Sequence, residues 1–210
     1  MAKLVLVRHG QSEWNEKGLW QGWMDIDLTK NGIEQAKETG RQLKDVHFDY
    51  AYSSPLMRAF KTLDEILKVL GQTDLPIIKD KAITEKHYGV YAGKNKWQVK
   101  EEVGEEEFQK IRRSWDYQTP EGESMKQVYE RLIPYYKKEI LPKLKEGKNV
   151  IVASHGNTLR TLVKFLDNLS EDEVAKFEFG IGEAYVYEIN DQGEVISKEI
   201  RNKNPLVGKQ

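Results

Sequence analysis

Leu4-Val5-Leu6-Val7-Arg8-His9-Gly10 is the stretch of sequence that decides the fold. Its four consecutive apolar residues are typical of a strand that is buried on both faces, as in a parallel sheet. The run ends in an arginine, a histidine and a glycine, and open α/β sheets bind their ligands at the carboxyl ends of such strands. We therefore expect His9 at the mouth of a site, with Gly10 allowing the backbone to approach a ligand closely.

The same construction occurs again in Val150-Ile151-Val152-Ala153-Ser154-His155-Gly156-Asn157. A single histidine at a strand end is readily explained as a structural residue that is hydrogen-bonded where its strand stops. Two strand-end His-Gly pairs in one small protein are hard to attribute to packing. The repetition favours one site built from both strands.

The composition limits the class of protein. The chain has 210 residues and a formal charge of −1, which gives no overall field suited to nucleic acid or to a membrane surface. It has no cysteine, and no apolar run approaches the ~20 residues that a membrane helix needs. We predict a cytoplasmic protein in which 1–210 forms a single domain, with neither nucleic acid nor membrane as a partner.

Strands alternate with helices along the chain, which predicts a three-layer α/β/α fold with a mostly parallel sheet. The strands predicted beyond the first are 48–52, 75–78 and 150–154, followed by an antiparallel edge hairpin of 185–189 and 194–200. A partly helical excursion at about 79–123 is expected over the carboxyl edge of the sheet, and 202–210 is expected to be mobile.

The helices are predicted from apolar spacing and from capping residues. The first begins near Thr29 and buries Ile33, Ala36, Gly40 and Leu43, and the second opens at Ser53-Ser54-Pro55 and stops at Gly71. The third runs from a capping box at Ser124 to about Leu144 and is kinked by Pro134 and Pro142. A fourth helix ends at Leu166, and a short fifth helix begins at Ser170. The segment from Gly10 to Leu28 is predicted to be a loop.

Arginines surround both histidine motifs: Arg8, Arg58 and Arg160. A neutral imidazole between guanidinium groups suits attack on a phosphoryl group. The cations hold the oxygens of the phosphoryl group, and they also keep the pKa of the imidazole low. Neither motif has further ligands at metal-site spacing, and there is neither a cysteine nor a G-x-S-x-G elbow. Phosphoryl transfer through histidine, without a metal, is therefore favoured.

The motifs together resemble the histidine phosphatase superfamily and, within it, the cofactor-dependent phosphoglycerate mutases. The similarity covers nearly the whole chain and is carried by Leu6-Val7-Arg8-His9-Gly10-Gln11-Ser12-Glu13-Trp14-Asn15, Ser53-Ser54-Pro55-Leu56-Met57-Arg58-Ala59, Thr84-Glu85-Lys86-His87-Tyr88-Gly89, Arg112-Arg113 and Ser154-His155-Gly156-Asn157. The resemblance implies a phosphoglycerate mutase-like fold and a catalytic set of His9 as the phosphorylated nucleophile, Glu85 as the general acid/base, and Arg8, Arg58 and His155 around the transferring group. It implies substrate binding by Arg8, Ser12, Asn15, Gln21, Gly22, Arg58, Glu85, Tyr88, Lys96, Arg112, Arg113, Gly156 and Asn157.

A phosphohistidine serves both mutases and phosphatases. A mutase must retain a bisphosphorylated intermediate, so it needs cations away from His9, and Lys96, Arg112 and Arg113 supply them. The expected reaction is interconversion of 3-phosphoglycerate and 2-phosphoglycerate in glycolysis and gluconeogenesis, primed by 2,3-bisphosphoglycerate, on small phosphorylated three-carbon acids, by a monomer or a homodimer. The alternatives are a phosphomonoesterase of the same superfamily and a non-catalytic module that binds a phospho-ligand.

The chain also departs from the family pattern. Leu19-Trp20-Gln21 stands where Arg-Phe-Thr is common, Lys86 stands for an arginine, and the segment 115–124 is much shorter than in many members. Adjacent side chains on a helix seldom face one direction, so Arg112 and Arg113 could instead form a solvated face.

Overall fold

The computed structural model describes residues 1–202, and its six strands form one sheet in the order β3-β2-β4-β1-β5-β6. The strands are β1 Ala2–Arg8, β2 Tyr50–Ser53, β3 Ile77–Lys79, β4 Val150–Ser154, β5 Ala184–Ile189 and β6 Val195–Arg201. Strands β1 to β4 are parallel, whereas β5 is antiparallel to β1 and to β6. The mostly parallel sheet with an antiparallel edge is confirmed. Of the terminal segment predicted to be mobile, 203–210 lies outside the described residues.

Helices cover both faces of the sheet. They are α1 Glu13–Glu16, α2 Lys30–Gln42, α3 Met57–Leu70, α4 Lys96–Arg113, α5 Met125–Tyr135, α6 Leu141–Lys145, α7 Gly156–Leu166 and α8 Glu171–Lys176. Leu4 and Leu6 pack in a core with residues of α5 and α7, while Val5 and Val7 pack in a second core with residues of α3. Because side chains alternate across a strand, each face needs its own helical layer. This confirms the three-layer fold.

Several predicted boundaries were wrong by a few residues. β2 begins at Tyr50 and includes Ser53, β3 is Ile77–Lys79, and α3 begins at Met57. The predicted starts rested on Phe48 and Leu75, which belong to the core that packs against α3. The amide of Phe48, however, donates to the Gln72 side chain at 2.9 Å rather than to a strand. The apolar pattern of the sequence indicates which residues are buried. Burial here extends beyond the residues that form the hydrogen bonds of the strands.

The helical predictions also needed correction. The predicted helix from Ser124 is divided into α5, a π-helical turn Tyr136–Ile140 and α6, with Pro134 inside α5. The predicted loop of 10–28 contains α1, and Ile33 is half-buried rather than buried. Capping boxes at Ser124 and Ser170 and the stop at Gly71, whose φ is 67°, are confirmed.

The excursion over the carboxyl edge comprises 3₁₀ turns at Lys81–Ile83 and Gly89–Tyr91, followed by α4. β1 and β4 are neighbours in register, with Arg8 opposite Ser154. The residues that follow these two strands therefore leave the sheet side by side. Within 1–202, no helix has the length and apolar character required to cross a membrane.

Candidate active site

The two histidines predicted from the strand-end motifs lie next to each other. The ring centroids of His9 and His155 are 5.0 Å apart, with the ring planes at 62°. The two residues are buried, with exposed fractions of 3% and 0%. The register of β1 against β4 produces this contact, because the backbone N–H of His9 donates to the Ser154 carbonyl oxygen at 3.1 Å.

The His9 ring is held in the tautomer that a nucleophile needs. Its Nδ1 lies 2.7 Å from the carbonyl oxygen of Gly10, and because a carbonyl can only accept, Nδ1 carries the proton. Burial, followed by the charges of Arg58 and Arg8, lowers the pKa of His9 well below its ordinary value. At neutral pH the ring is therefore uncharged, and Nε2 keeps its lone pair.

The ring of His155 is neutral as well, but it differs from the His9 ring in its hydrogen bonding. Burial and the Arg58 charge lower the pKa of His155 well below its ordinary value. Neither of its ring nitrogens has a hydrogen-bond partner among residues 1–202. Buried polar atoms in proteins are almost always paired, so an unpaired imidazole beside His9 is available to a phosphoryl oxygen.

Main-chain carbonyls hold the guanidinium groups of Arg8 and Arg58 in place. Arg8 Nη1 donates to the Phe179 oxygen at 2.5 Å, and Arg58 donates to the Gly22 and Met24 oxygens at 2.8 Å each. The Nε atoms of both arginines are buried without a partner among the described residues. Burial lowers the pKa of Arg58 to about 10, so the group stays charged at neutral pH. Both side chains line the pocket that also contains His9.

Two glycines permit close approach of backbone around the histidines. A Cβ on Gly10 would lie 2.2 Å from the carbonyl oxygen of Gly32, and a Cβ on Gly156 would lie 3.3 Å from Arg8 Cζ. Gly156 is also the first residue of α7, for which His155 is the N-cap. Free amides and the helix dipole at such an end favour an anion.

α4 contributes a second group of cations to the pocket. Lys96 is its first residue, and Arg112 and Arg113 are its last two. Arg112 and Arg113 both line the pocket, so they do not form the solvated helix face that was the alternative. Burial, with smaller contributions from Arg8 and Arg112, lowers the pKa of Lys96 to about 8. Arg113 forms an ion pair with Glu178, which also lines the pocket.

Glu85 is the predicted acid/base, and it faces the same pocket. It is 9% exposed, and its Oε1 accepts the backbone N–H of Lys86 at 2.8 Å. The Tyr88 hydroxyl accepts from Asn157 Nδ2 at 2.7 Å, and burial raises the pKa of Tyr88 to about 12. The other predicted substrate contacts that line the pocket are Asn15, Gln21, Gly22, Gly156 and Asn157.

Ser12 and Lys86 lie behind the pocket lining. Ser12 caps α1, and its hydroxyl oxygen lies 2.7 Å from Gln21 Oε1 and 2.9 Å from Asn15 Oδ1, so its one proton is shared between these acceptors. It therefore holds two lining residues and is not itself among them. Lys86 is fully buried and donates to the Ile111 oxygen at 2.9 Å, which ties the Glu85 segment to α4.

Several residues line the pocket without having been predicted as substrate contacts: Leu19, Trp20, Arg160, Glu178 and Phe179. Arg160 was predicted only as one of the arginines around the histidine motifs, and it lies one helical turn after Asn157 and donates to its Oδ1 at 3.1 Å. Glu178 and Phe179 lie in an irregular segment without a periodic signal. No cluster of three or more potential metal ligands occurs within 1–202.

Comparison with known proteins agrees with this geometry. A family model described as histidine phosphatase superfamily (branch 1) matches residues 4–200. A 2,3-bisphosphoglycerate-dependent phosphoglycerate mutase of Parvibaculum lavamentivorans is 47% identical over 94% of this chain and 95% of its own.

Solved structures agree as well. A phosphoglycerate mutase of Bacillus anthracis has a TM-score of 0.73 at 26% identity, over 92% of this chain and 90% of its own. A phosphoserine phosphatase of Entamoeba histolytica, solved with 3-phosphoglyceric acid, has a TM-score of 0.75 at 29% identity, over 95% and 97% of the two chains. The chain therefore belongs to the histidine phosphatase superfamily.

Proposed function

We propose that this protein is a 2,3-bisphosphoglycerate-dependent phosphoglycerate mutase, which interconverts 3-phosphoglycerate and 2-phosphoglycerate through phospho-His9. The observation that carries the proposal is a single pocket in which Arg8 and Arg58 flank the neutral His9, while α4 supplies Lys96 and two arginines. The first group suits the transferring phosphoryl group, and the second suits a substrate's further anionic groups. The 47% identical relative named for this activity adds support.

The proposed step is nucleophilic displacement at phosphorus. His9 Nε2 forms a bond to phosphorus as the bond from phosphorus to the substrate oxygen breaks, and Glu85 gives a proton to that oxygen. Arg8, Arg58 and the first amides of α7 stabilise the charge on the equatorial oxygens. In the second transfer Glu85 takes a proton from the other hydroxyl as that oxygen bonds to phosphorus, and the bond from His9 Nε2 to phosphorus breaks. These residues carry the charge, so the proposal gives no role to a metal.

The residues present fit 2,3-bisphosphoglycerate as the primer. When it is bound, it supplies the phosphoryl group that first loads His9. The unpaired Nε atoms of Arg8 and Arg58 and the unpaired ring of His155 suit one phosphate. Lys96, Arg112 and Arg113 would hold the second phosphate and the carboxylate.

The proposal also covers the setting in which the enzyme works. We infer that the chain acts as one catalytic domain, because one sheet carries the site and the family match extends over 4–200, and we propose the cytoplasm as its location, where a glycolytic reaction takes place. A single chain supplies the nucleophile, the acid/base and the cations, so the proposal covers a monomer and a homodimer.

A phosphomonoesterase activity is the second candidate, and Glu178 is the observation that favours it. Its ion pair neutralises Arg113 and so weakens the hold on a second phosphate. If the monophosphoglycerate leaves before it accepts the phosphoryl group, water can attack phospho-His9 and release inorganic phosphate.

The test is incubation with 3-phosphoglycerate and catalytic 2,3-bisphosphoglycerate, with 2-phosphoglycerate and inorganic phosphate measured together. We expect more 2-phosphoglycerate than inorganic phosphate. Labelled 2,3-bisphosphoglycerate should transfer an acid-labile label to the wild type and none to His9→Ala. His47→Ala is the matched control, because His47 is exposed and outside the pocket. Phosphate without 2-phosphoglycerate would move the protein to the phosphatase function, and ligand binding without turnover would indicate a non-catalytic module.

A further inference from the structure

Arg131, on α5, lies outside the pocket that contains His9, yet its guanidinium group binds the segment that carries Glu85. Nη1 donates to the Ala82 oxygen at 2.7 Å, and Nη2 donates to the Thr84 and Glu85 oxygens at 3.0 and 2.9 Å. One side chain therefore fixes three carbonyl groups within four consecutive residues.

Glu123 completes this arrangement. Its carboxylate accepts from Arg131 Nε at 2.9 Å and from Nη2 at 3.1 Å, which is a bidentate ion pair. Its Oε2 also accepts the backbone N–H of His87 at 2.8 Å. The pair thus holds the segment 82–87 from Ala82 to His87. Both partners are largely buried, with side-chain exposures of 22% and 16%.

The segment 82–87 depends mainly on side chains for support, and Ser154 and Thr158 also hold it through the Ile83 and Thr84 oxygens. After the 3₁₀ turn that ends at Ile83, it has no helix or strand up to His87. The Glu85 carbonyl is held from two sides, because Trp23 Nε1 also donates to it at 2.7 Å. Lysine could not reproduce these bonds, since an ammonium group lacks the planar array of donors.

We propose that Arg131, oriented by Glu123, is a positioning residue that sets the Glu85 carboxylate for proton transfer. This inference rests on the proposed role of Glu85 as the acid/base. A proton donor must lie within hydrogen-bond reach of the leaving oxygen, and a shift of about 1 Å away from the chemistry lowers rates about 100-fold. Loss of the Arg131 fork removes its bonds to the Ala82, Thr84 and Glu85 oxygens, and Trp23 alone then holds the Glu85 carbonyl.

The test compares two leaving groups in single-turnover phosphorylation of His9. The alkoxide of 2,3-bisphosphoglycerate needs a proton as it leaves, whereas the stable anion of p-nitrophenyl phosphate does not. We expect Arg131→Lys and Glu123→Gln to slow transfer from bisphosphoglycerate about 30-fold and transfer from p-nitrophenyl phosphate less than about 3-fold. Arg41→Lys is the control, because Arg41 is exposed on α2 and pairs with Glu38.

A small molecule can supply a second readout. Arg131 borders a cavity that Trp23, Leu56 and Ala82 also line, so guanidinium ion can reach the space left by Arg131→Ala. We expect millimolar guanidinium to restore transfer from bisphosphoglycerate in Arg131→Ala and to leave Arg41→Ala unchanged. Ammonium ion at the same concentration should restore nothing.

The outcomes separate this inference from the proposed function. Equal loss of rate with bisphosphoglycerate and with p-nitrophenyl phosphate, or no loss with either, would overturn the positioning role. Partial unfolding lowers the two rates equally and leaves their ratio unchanged. Glu85→Gln should show the same contrast between donors, and if it does not, the role of Glu85 itself is wrong. A wild type that releases phosphate instead of 2-phosphoglycerate contradicts the mutase function but still allows the comparison.

Discussion

Lys96 makes substrate binding depend on pH in the alkaline range. Burial and the neighbouring charges of Arg8 and Arg112 lower the pKa of Lys96 to about 8 in the free protein. An anionic substrate binds the charged ammonium form and not the neutral amine. The affinity for the substrate is therefore highest below this pKa and falls as the pH rises through it.

The size of the effect follows from this pKa. With a pKa of about 8, roughly nine-tenths of Lys96 is charged at about pH 7 and roughly one-tenth at about pH 9. We therefore expect the KM for 3-phosphoglycerate to rise about tenfold over that interval. His9 and His155 are already neutral, because their pKa values are well below the ordinary one. Arg58 remains charged, since burial lowers its pKa only to about 10, whereas burial lowers the pKa of Arg160 to about 9, so Arg160 is the other pocket group that can titrate near the upper end of this interval.

The assay is the KM for 3-phosphoglycerate across this pH range, in wild type and in two variants. Lys96→Arg keeps its charge, so its KM should stay flat between about pH 7 and 9. Lys96→Met should raise the KM about 30-fold at about pH 7 and remove the pH dependence. A flat wild-type profile would refute the reasoning. A rise that persists in Lys96→Arg would assign the titration to another group, such as Lys86, whose pKa burial lowers to about 8.

Three further substitutions test separate features. Glu178→Gln removes the counter-ion of Arg113, so the KM for 2,3-bisphosphoglycerate in priming should fall about fivefold, and a higher KM would contradict this account. Gly10→Ala places a Cβ 2.2 Å from the Gly32 backbone oxygen, and we expect the free energy of unfolding in urea to fall by about 3 kcal/mol. Gly71→Ala has open space at a φ of 67°, so only the left-handed conformation opposes it, and a loss of about 1 kcal/mol is expected; equal losses at the two glycines would refute the distinction.

Local patterns in the sequence were sufficient where the structure is decided locally. The run before His9 predicts a doubly buried strand, and β1 lies between β4 and β5 with helices on both faces. The capping box at Ser124 depends only on neighbouring residues and is found as predicted. Two strand-end histidines could be assigned to one site because parallel neighbouring strands end at the same edge.

The remaining features depend on contacts between distant parts of the chain. Arg131 meets the Glu85 carbonyl from 46 positions away, and no spacing rule reports such a contact. Glu178 reaches the pocket from an irregular segment, where neither helical nor strand periodicity exists to guide a prediction. Ser12 resembles a ligand contact in the motif, but its hydroxyl is used to cap α1.

The crowding of positive side chains in the pocket has a consequence for the evolution of this protein. Arg8, Arg58, Lys96, Arg112, Arg113 and Arg160 share one cavity with two carboxylates, Glu85 and Glu178. Mutual repulsion there works against the native state whenever no polyanion is bound. Selection for stability alone would therefore not favour this concentration of charge in one cavity.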